Sequence, residues 1–479
     1  MLFNSIEYFV FLPIVFVIYW ILPHKFRWLM LLMSSYVFYA FWDVKYAFLL
    51  LAYTIISYFA GILLEKTDKP GIRKGILIVS VSICLGILFV FKYFNFFSKS
   101  IADIFSFFSN PIQPILLKVI LPVGISFYTF QTIGYVIDVY QGKASAEHHF
   151  GYYGAFVSFF PQLVAGPIER TGNLLPQIKE QHSFSYEKAT YGLKLMAWGF
   201  FKKIVIADTL AQYVSPVFQS PRSYNGFALI LASCFFSVQI YCDFSGYSDI
   251  AIGTAKLLGI DLSVNFKSPY FSKSIKEFWS RWHISLSTWF RDYVYIPIGG
   301  NRVSKIHHVI NVLVTFLLSG LWHGANWTFV AWGAMHGMAQ NLEGLMHGKR
   351  KSRGKWVVSL LQICAVFIFA TICWTFFASR NFADAGYILS YSLDGISEPI
   401  KYLADGIKYL GISRVELVKL LFCIGLLSVF DYLSLKTDVI KKISSMKLLP
   451  RWTVYVFLVL ILVFFCQKGV STEFVYFQF

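Results

Sequence analysis

Residues 277–302, EFWSRWHISLSTWFRDYVYIPIGGNR, place His283 among arginines, an aspartate and tryptophans in a chain that is otherwise mostly apolar. Residues 318–327, LSGLWHGANW, place His323 in a similar setting, between Trp322 and Gly324. Ionisable groups in apolar surroundings are costly to bury, so by default they indicate function. These two stretches therefore hold the first candidates for a functional site.

The composition around them is typical of a membrane protein. The chain has 479 residues, of which 57% are hydrophobic and 14% are charged, whereas about 25% of the residues in a soluble domain are charged. The apolar runs are long and continuous, unlike the short alternating segments of a membrane β-barrel. We therefore predict an all-α polytopic membrane protein that forms a single integral domain over residues 1–479.

Apolar runs recur along the whole chain and approach the roughly 20 residues that a membrane span requires. They lie at 6–22, 28–42, 46–64, 75–97, 115–137, 224–255, 327–345, 356–377, 417–433 and 453–466, and one more run follows the basic loop at 307–308 and ends near 321. Between 151 and 218, prolines and glycines interrupt the pattern. Irregular backbone at membrane depth needs a protein or water-filled surrounding, so we expect re-entrant or broken helices in this region.

The basic residues predict the orientation in the membrane. Lysines and arginines cluster at 25–27, 65–74, 347–355 and 436–451, whereas the loop between 377 and 417 has no positive excess. By the positive-inside rule, the basic segments face the cytoplasm, and that loop and both chain ends face outside. This rule explains the net charge of +17, so we expect membrane lipids as partners and no nucleic acid.

Two of the histidines, His323 and His283, have competing interpretations. His323 is either a proton-transfer group at a tight turn or a core histidine bonded to a backbone carbonyl. The apolar residues of 275–293 recur as on one face of a helix, which predicts an amphipathic helix along an interface. His283 lies at the border of the apolar stripe of this helix, and its side chain faces either a cavity or solvent. His336 would lie roughly 20 Å from His323 on a continuous helix, so we interpret it as helix packing.

Residues 243–249, DFSGYSD, place two carboxylates in an apolar run. Ser245 and Asp249 are four residues apart and share a helix face. This segment could bond a broken backbone, orient a histidine or bind a polar ligand, and a structural hydrogen-bonding role is favoured. The seven cysteines have no C-x-x-C spacing, and no histidines have the spacing of a zinc helix. We therefore expect no metal site.

Several further segments carry a resemblance to a known family. They are 1–5 (MLFNS), 121–127 (LPVGISF), 160–167 (FPQLVAGP), 243–249, 281–300 and 322–324 (WHG). With these motifs in this order, the chain resembles the bacterial membrane-bound O-acyltransferases that act in alginate and peptidoglycan O-acetylation, and more distantly those of teichoic acid D-alanylation.

The resemblance implies a fold of about 10–13 tilted or re-entrant transmembrane helices around a central tunnel. It implies that His323 lies at the centre of the tunnel and that His283 is the second functional histidine, and we predict both as catalytic. The residues that we predict to bind substrate are Trp322, Asp243, Ser245, Trp279, Arg291 and Asn326.

The function that the resemblance implies is transfer of an acyl group across a bacterial cytoplasmic membrane. The expected donor is an acyl thioester such as acetyl-CoA on the cytoplasmic side, with no bound cofactor. The expected acceptor is an extracytoplasmic polysaccharide, reached through a separate SGNH-type acetyltransferase or another acyl-accepting protein. The alternatives are a transporter or flippase of a polar or lipid-linked substrate, and a non-catalytic scaffold of a glycan-modifying complex.

Overall fold

The computed structural model describes residues 1–346, 356–465 and 474–475, and within these ranges the helix is the only regular element. The described residues group into two compact units. The first comprises Met1–Leu193 and Ile250–Ser263, and the second comprises Lys194–Asp249 and Val264–Phe479. The prediction of a single integral domain stays a prediction.

The first unit consists of the amino-terminal helices. A π-helical turn at Phe89–Tyr93 joins α4 to α5, so that the two form one long run. The helices are α1 (Ile6–Ile21), α2 (His24–Ala40), α3 (Val44–Glu65), α4 (Pro70–Leu88), α5 (Phe94–Phe107), α6 (Ile125–Tyr140), α7 (Phe150–Ser158), α8 (Phe160–Leu163) and α9 (Thr171–Lys179).

The second unit contains the remaining helices, and the boundary between the units falls within α10 and again within α12. These helices are α10 (Tyr186–Phe200), α11 (Asp208–Gln219), α12 (Phe227–Leu257), α13 (Ile275–Arg281), α14 (Ile284–Phe290), α15 (Lys305–His323), α16 (Trp327–Met346), α17 (Trp356–Ala378), α18 (Phe382–Tyr391), α19 (Pro399–Tyr409), α20 (Arg414–Ser434), α21 (Val439–Ser444) and α22 (Leu448–Phe465).

Seven helical segments in the described ranges are long and apolar enough to cross a membrane. They are Val44–Glu65, Pro70–Phe107, Phe227–Leu257, Lys305–His323, Trp356–Ala378, Arg414–Ser434 and Leu448–Phe465, and Ile6–Ile21 is a shorter apolar helix. The chain is therefore a multi-pass membrane protein, and the predicted all-α class is confirmed. The larger number of 10–13 tilted or re-entrant helices and the tunnel stay predictions.

The predicted run at 115–137 is helical only in its second part. Helix α6 begins at Ile125, and residues 110–122 form no helix. Pro111, Pro114 and Pro122 explain the difference, because proline lacks an N–H group and also disfavours helix at the residue before it.

Two other regions complete the comparison with the predicted spans. Between 151 and 218 the structure has short helices and a π-helical segment at Phe201–Ala207, as the prediction of broken helices required. The predicted loop between 377 and 417 contains α18 and α19. The predicted cytoplasmic cluster at 347–355 and the last residue of the predicted span at 453–466 lie outside the described residues.

Candidate active site

His323 is the last residue of α15, at a reversal of the chain. Gly324 follows as the helix cap, and the Asn326 side chain accepts a hydrogen bond from the Thr328 N–H at 3.1 Å in the first turn of α16. The two helices pack closely, because a Cβ atom added to Gly320 would lie 2.3 Å from the carbonyl oxygen of Phe329. The chain therefore turns at His323, and the separation of roughly 20 Å that a continuous helix would give His323 and His336 does not apply.

The imidazole of His323 lies in aromatic surroundings and is 2% exposed. Its ring centroid lies 5.0 Å from Trp322, 5.0 Å from Trp332 and 5.5 Å from Phe377. Such walls hold an imidazole in place and keep bulk water away from it. The passage that would connect this ring to both aqueous sides stays a prediction.

His283 lies at a break between two short helices. It caps the start of α14 with φ 43° and ψ 54°, in the left-handed region. The predicted continuous helix over 275–293 is thus wrong. A non-glycine residue in this region costs about 1–3 kcal/mol and persists only where its surroundings hold it. Most of the predicted apolar face is nevertheless buried, including Phe278, Trp282 and Trp289.

The fold brings the two predicted catalytic histidines together. Their ring centroids are 6.3 Å apart, and the Trp322 ring lies 6.0 Å from that of His283. His283 is fully buried, and its burial lowers the pKa of the imidazole to about 3. At neutral pH the ring is therefore uncharged. It can accept or donate a hydrogen bond, but it brings no positive charge to the site.

Asn265 contacts His283 and was not singled out from the sequence. Its Oδ1 lies 3.3 Å from Nδ1 of His283 and accepts hydrogen bonds from the N–H and hydroxyl groups of Ser285 at 3.2 and 2.7 Å. No local pattern marks it, because residues 264–274 form no α-helix and the contact spans 18 positions.

Asp243 and Ser245 bond to two buried lysines that the sequence analysis also missed. Lys203 Nζ lies 2.7 Å from Asp243 and 2.8 Å from Asp208, and Lys202 Nζ donates to Ser245 at 3.0 Å. Burial disfavours the charge of Lys203, but the two carboxylates outweigh it and raise its pKa. The adjacent lysines in the apolar run at 199–207 were the available signal, since buried charges are paired.

The same cluster confirms that Ser245 and Asp249 share a helix face, because Lys202 also forms an ion pair with Asp249 at 2.7 Å. The second carboxylate oxygen of Asp243 accepts the backbone N–H of Val475 at 2.7 Å. These bonds agree with the favoured structural role of the segment. Its predicted role in substrate binding stays a prediction.

The other predicted substrate-binding residues lie in different surroundings. Trp322 contacts both histidines, and Trp279 donates its indole N–H to Nδ1 of His336 at 3.2 Å. The side chain of Arg291 is 58% exposed and bonds to the neighbouring Asp292, so the structure does not bring it into the aromatic cluster. Asn326 caps α16 and also donates to the carbonyl of Arg380 at 2.8 Å.

His336 packs against aromatic rings, as the sequence suggested, and lies 5.0 Å from Trp332 on the side of α16. Because Trp332 is also 5.0 Å from His323, the two imidazoles are much closer than a continuous helix would place them. Three fully buried tryptophans in the aromatic surroundings of these histidines have indole N–H groups with no hydrogen-bond acceptor among the described residues. They are Trp282, Trp332 and Trp374.

Metal ligands do not cluster in the described ranges, where no group of three or more histidine, cysteine or acidic side chains could hold an ion. An imidazole such as that of His323 can accept and return a proton, whereas the uncharged imidazole of His283 can accept or donate a hydrogen bond.

Comparison with known proteins decides the family. The sequence model of the membrane-bound O-acyltransferase family matches residues 143–353, which include both histidines. A probable alginate O-acetylase, AlgI, of Pseudomonas aeruginosa is 41% identical over 385 residues, covering 79% of this chain and 72% of the relative. The chain belongs to the membrane-bound O-acyltransferase family. It is an O-acyltransferase, and the resemblance carried by the motifs is confirmed.

Two other relatives of this membrane-bound O-acyltransferase act on different polymers. A peptidoglycan O-acetyltransferase of Helicobacter pylori is 35% identical over 433 residues, which cover 83% of this chain and 81% of the relative. A teichoic acid D-alanyltransferase of Bacillus subtilis is 27% identical over 319 residues, covering 60% and 79%. The roles of individual residues in this chain stay predictions.

Proposed function

We propose that this O-acyltransferase moves an acetyl group from acetyl-CoA on the cytoplasmic side of a bacterial cytoplasmic membrane toward an extracytoplasmic polysaccharide. The observation that carries the proposal is the pair of buried imidazoles, His323 and His283, with ring centroids 6.3 Å apart. Relatives named for O-acetylation of alginate and of peptidoglycan support a polysaccharide as the final acceptor.

In the proposed reaction His323 is the general base. It takes the proton of an acceptor hydroxyl while the hydroxyl oxygen attacks the thioester carbonyl carbon. The new C–O bond forms, the C–S bond breaks, and the proton passes to the departing thiolate. His283 orients the reactants beside His323. Its neutral state suits this role, because a permanent positive charge would be costly in such surroundings.

The aromatic walls protect the reaction from water. Trp322, Trp332 and Phe377 surround the His323 ring, and exclusion of water prevents hydrolysis of a reactive acyl group. The proposal requires a passage through the bilayer that admits the thioester from the cytoplasm and the hydroxyl from the other side. It also requires movement of this aromatic shell, since the ring is 2% exposed.

The acceptor hydroxyl belongs to a partner protein in this proposal. A polysaccharide is too large to thread through a bundle of helices, so the acetyl group passes first to an extracytoplasmic protein. The family resemblance points to a separate SGNH-type acetyltransferase for that step. On the cytoplasmic side, basic loops of the chain are suited to the phosphates of coenzyme A.

The test replaces His323 by alanine in cells that lack the chromosomal copy, and measures O-acetyl groups on wall and secreted glycans by mass spectrometry. We expect a loss of roughly 100-fold or more, the scale of general-base catalysis. His336→Gln is the matched control, because His336 is equally buried and lies equally far from Trp332. It should retain acetylation at equal protein level.

Acetylation that persists with His323→Ala would contradict the catalytic role. A scaffold would tolerate loss of both His323 and His283. In reconstituted vesicles, an acyltransferase consumes acetyl-CoA only when an acceptor is present, whereas a transporter moves a solute without breaking a bond.

A further inference from the structure

We propose that Asn265 is the positioning residue of His283 and holds its imidazole as the Nδ1–H tautomer, so that Nε2 carries the lone pair. This inference rests on the proposed function for its consequence. The atoms that carry it all belong to the second compact unit.

Asn265 is bonded at every polar group of its side chain. The residue is fully buried, its Oδ1 accepts from the N–H and hydroxyl groups of Ser285, and its Nδ2 donates to the Ser248 hydroxyl at 3.3 Å. Its backbone carbonyl also accepts the N–H of Ile284 at 2.9 Å. The amide is therefore held in one orientation.

That orientation determines the hydrogen on His283. A backbone N–H can only donate, so the atom of Asn265 that receives the Ser285 N–H is an acceptor. The same atom lies 3.3 Å from Nδ1 of His283, so Nδ1 must carry a hydrogen for the two to bond. A neutral imidazole has one N–H group. Nε2, on the other edge of the ring, is then the acceptor.

The backbone gives a second, independent reason. His283 has φ 43°, and such a conformation persists only where neighbouring bonds determine it. Asn265 bonds to the two residues after His283, and the N–H of Lys267 donates to the carbonyl of Arg281 at 3.0 Å on the other side. The segment around Asn265 therefore holds the turn that carries the histidine as well as its ring.

The consequence concerns the role of His283 in acyl transfer. With a lone pair at Nε2, His283 presents a hydrogen-bond acceptor to the reactants, while the single hydrogen of the acceptor hydroxyl goes to His323. It does not donate from Nε2 to the thioester carbonyl. Stabilisation of charge on that carbonyl oxygen then belongs to other donors.

The first experiment is a double-mutant cycle on acetyl transfer by the full chain in cells. Asn265→Leu should reduce transfer on the order of 100-fold, the scale of a misplaced catalytic group. Because Asn265 acts through His283, the double variant should transfer acetyl groups less than about twofold more slowly than His283→Ala alone. Asn265→Asp keeps an acceptor oxygen and should restore at least a tenth of the activity.

Additive losses in the double variant would overturn the proposal and give Asn265 a purely structural role. Asn265→Asp as inactive as Asn265→Leu, at equal protein level, would also overturn it. Asn311→Ala is the matched control, because Asn311 is another buried asparagine of the same unit and holds the carbonyl of Gly300 at 3.1 Å. Its effect should be undiminished in the His283→Ala background.

The second experiment needs no activity. The full chain, labelled with 15N-histidine in lipid vesicles, gives a His283 signal by difference from His283→Gln, and its nitrogen shifts report which nitrogen carries the hydrogen. Hydrogen on Nδ1 supports the proposal, and hydrogen on Nε2 overturns it. If the wild-type protein transfers no acyl group, the proposed function fails while this result still decides the tautomer.

Discussion

Trp279 and Trp332 belong to one aromatic cluster but differ in what their indole N–H groups bond. Trp279 donates to Nδ1 of His336, whereas the N–H of Trp332 has no acceptor among the described residues. Replacing Trp279 by phenylalanine leaves a buried acceptor without its donor, in addition to the lost ring volume. We expect Trp279→Phe to lower the free energy of unfolding by about 1–3 kcal/mol more than Trp332→Phe does.

Thermal unfolding of the two purified variants in the same detergent measures that difference. Both substitutions remove the same atoms from buried positions, so each serves as the packing control of the other. Equal losses of stability would mean that the N–H of Trp279 contributes nothing beyond the ring.

At the scale of elements, the pairing of α15 with α16 depends on small residues. A Cβ atom at Gly320 would lie 2.3 Å from the Phe329 carbonyl oxygen, and one at Gly333 would lie 2.3 Å from that of Phe316. We expect Gly320→Ala to force the helices apart, to destabilise the protein by about 1–3 kcal/mol, and to reduce acyl transfer because His323 ends α15.

Gly344→Ala is the control for this prediction. Gly344 lies on α16, and an added Cβ atom meets nothing within 4 Å. The free energy of unfolding of this variant should therefore be unchanged or higher by up to about 1 kcal/mol. The measurement is the unfolding temperature of both variants in detergent, together with glycan acetylation in cells. A stable and active Gly320→Ala variant would contradict the close approach of the two helices.

The positions of the long helices could be predicted from the sequence. Apolar runs located most of the long helices, since burial in lipid depends on local composition. The run at 115–137 misled us, because its average hydropathy hid Pro122, which interrupts the helical hydrogen bonding, and two further prolines lie just before it at 111 and 114. The break at His283 carries no such signal, and the apolar spacing of 275–293 continues through it.

For the whole molecule, the charges of the loops predict which side each one faces. A single cysteine at Asp68, in a protein whose native cysteines are replaced by serine, should react with a membrane-impermeant maleimide only after the cells are permeabilised. One at Ser397 should react in intact spheroplasts. Both positions are exposed, and the positive-inside rule places them on opposite sides.

Labelling of Ser397→Cys only after permeabilisation would reverse the predicted placement of the loop between α17 and α20. Cys364 does not replace these probes, because it lies within the apolar helix α17. The outcome bears on function, since the proposed partner requires an acetyl group delivered on the side of Ser397.

The sequence by itself determined the all-helical membrane class and the family motifs, and it predicted the two histidines, because the cost of placing polar groups in an apolar chain is visible residue by residue. Only the tertiary structure decided that α15 and α16 pack closely after the turn at His323, that His283 has a left-handed backbone, and that Asn265 and Lys203 bond to predicted site residues. Those features depend on hydrogen bonds and ion pairs between residues far apart in the chain, and local composition does not encode which distant groups will meet.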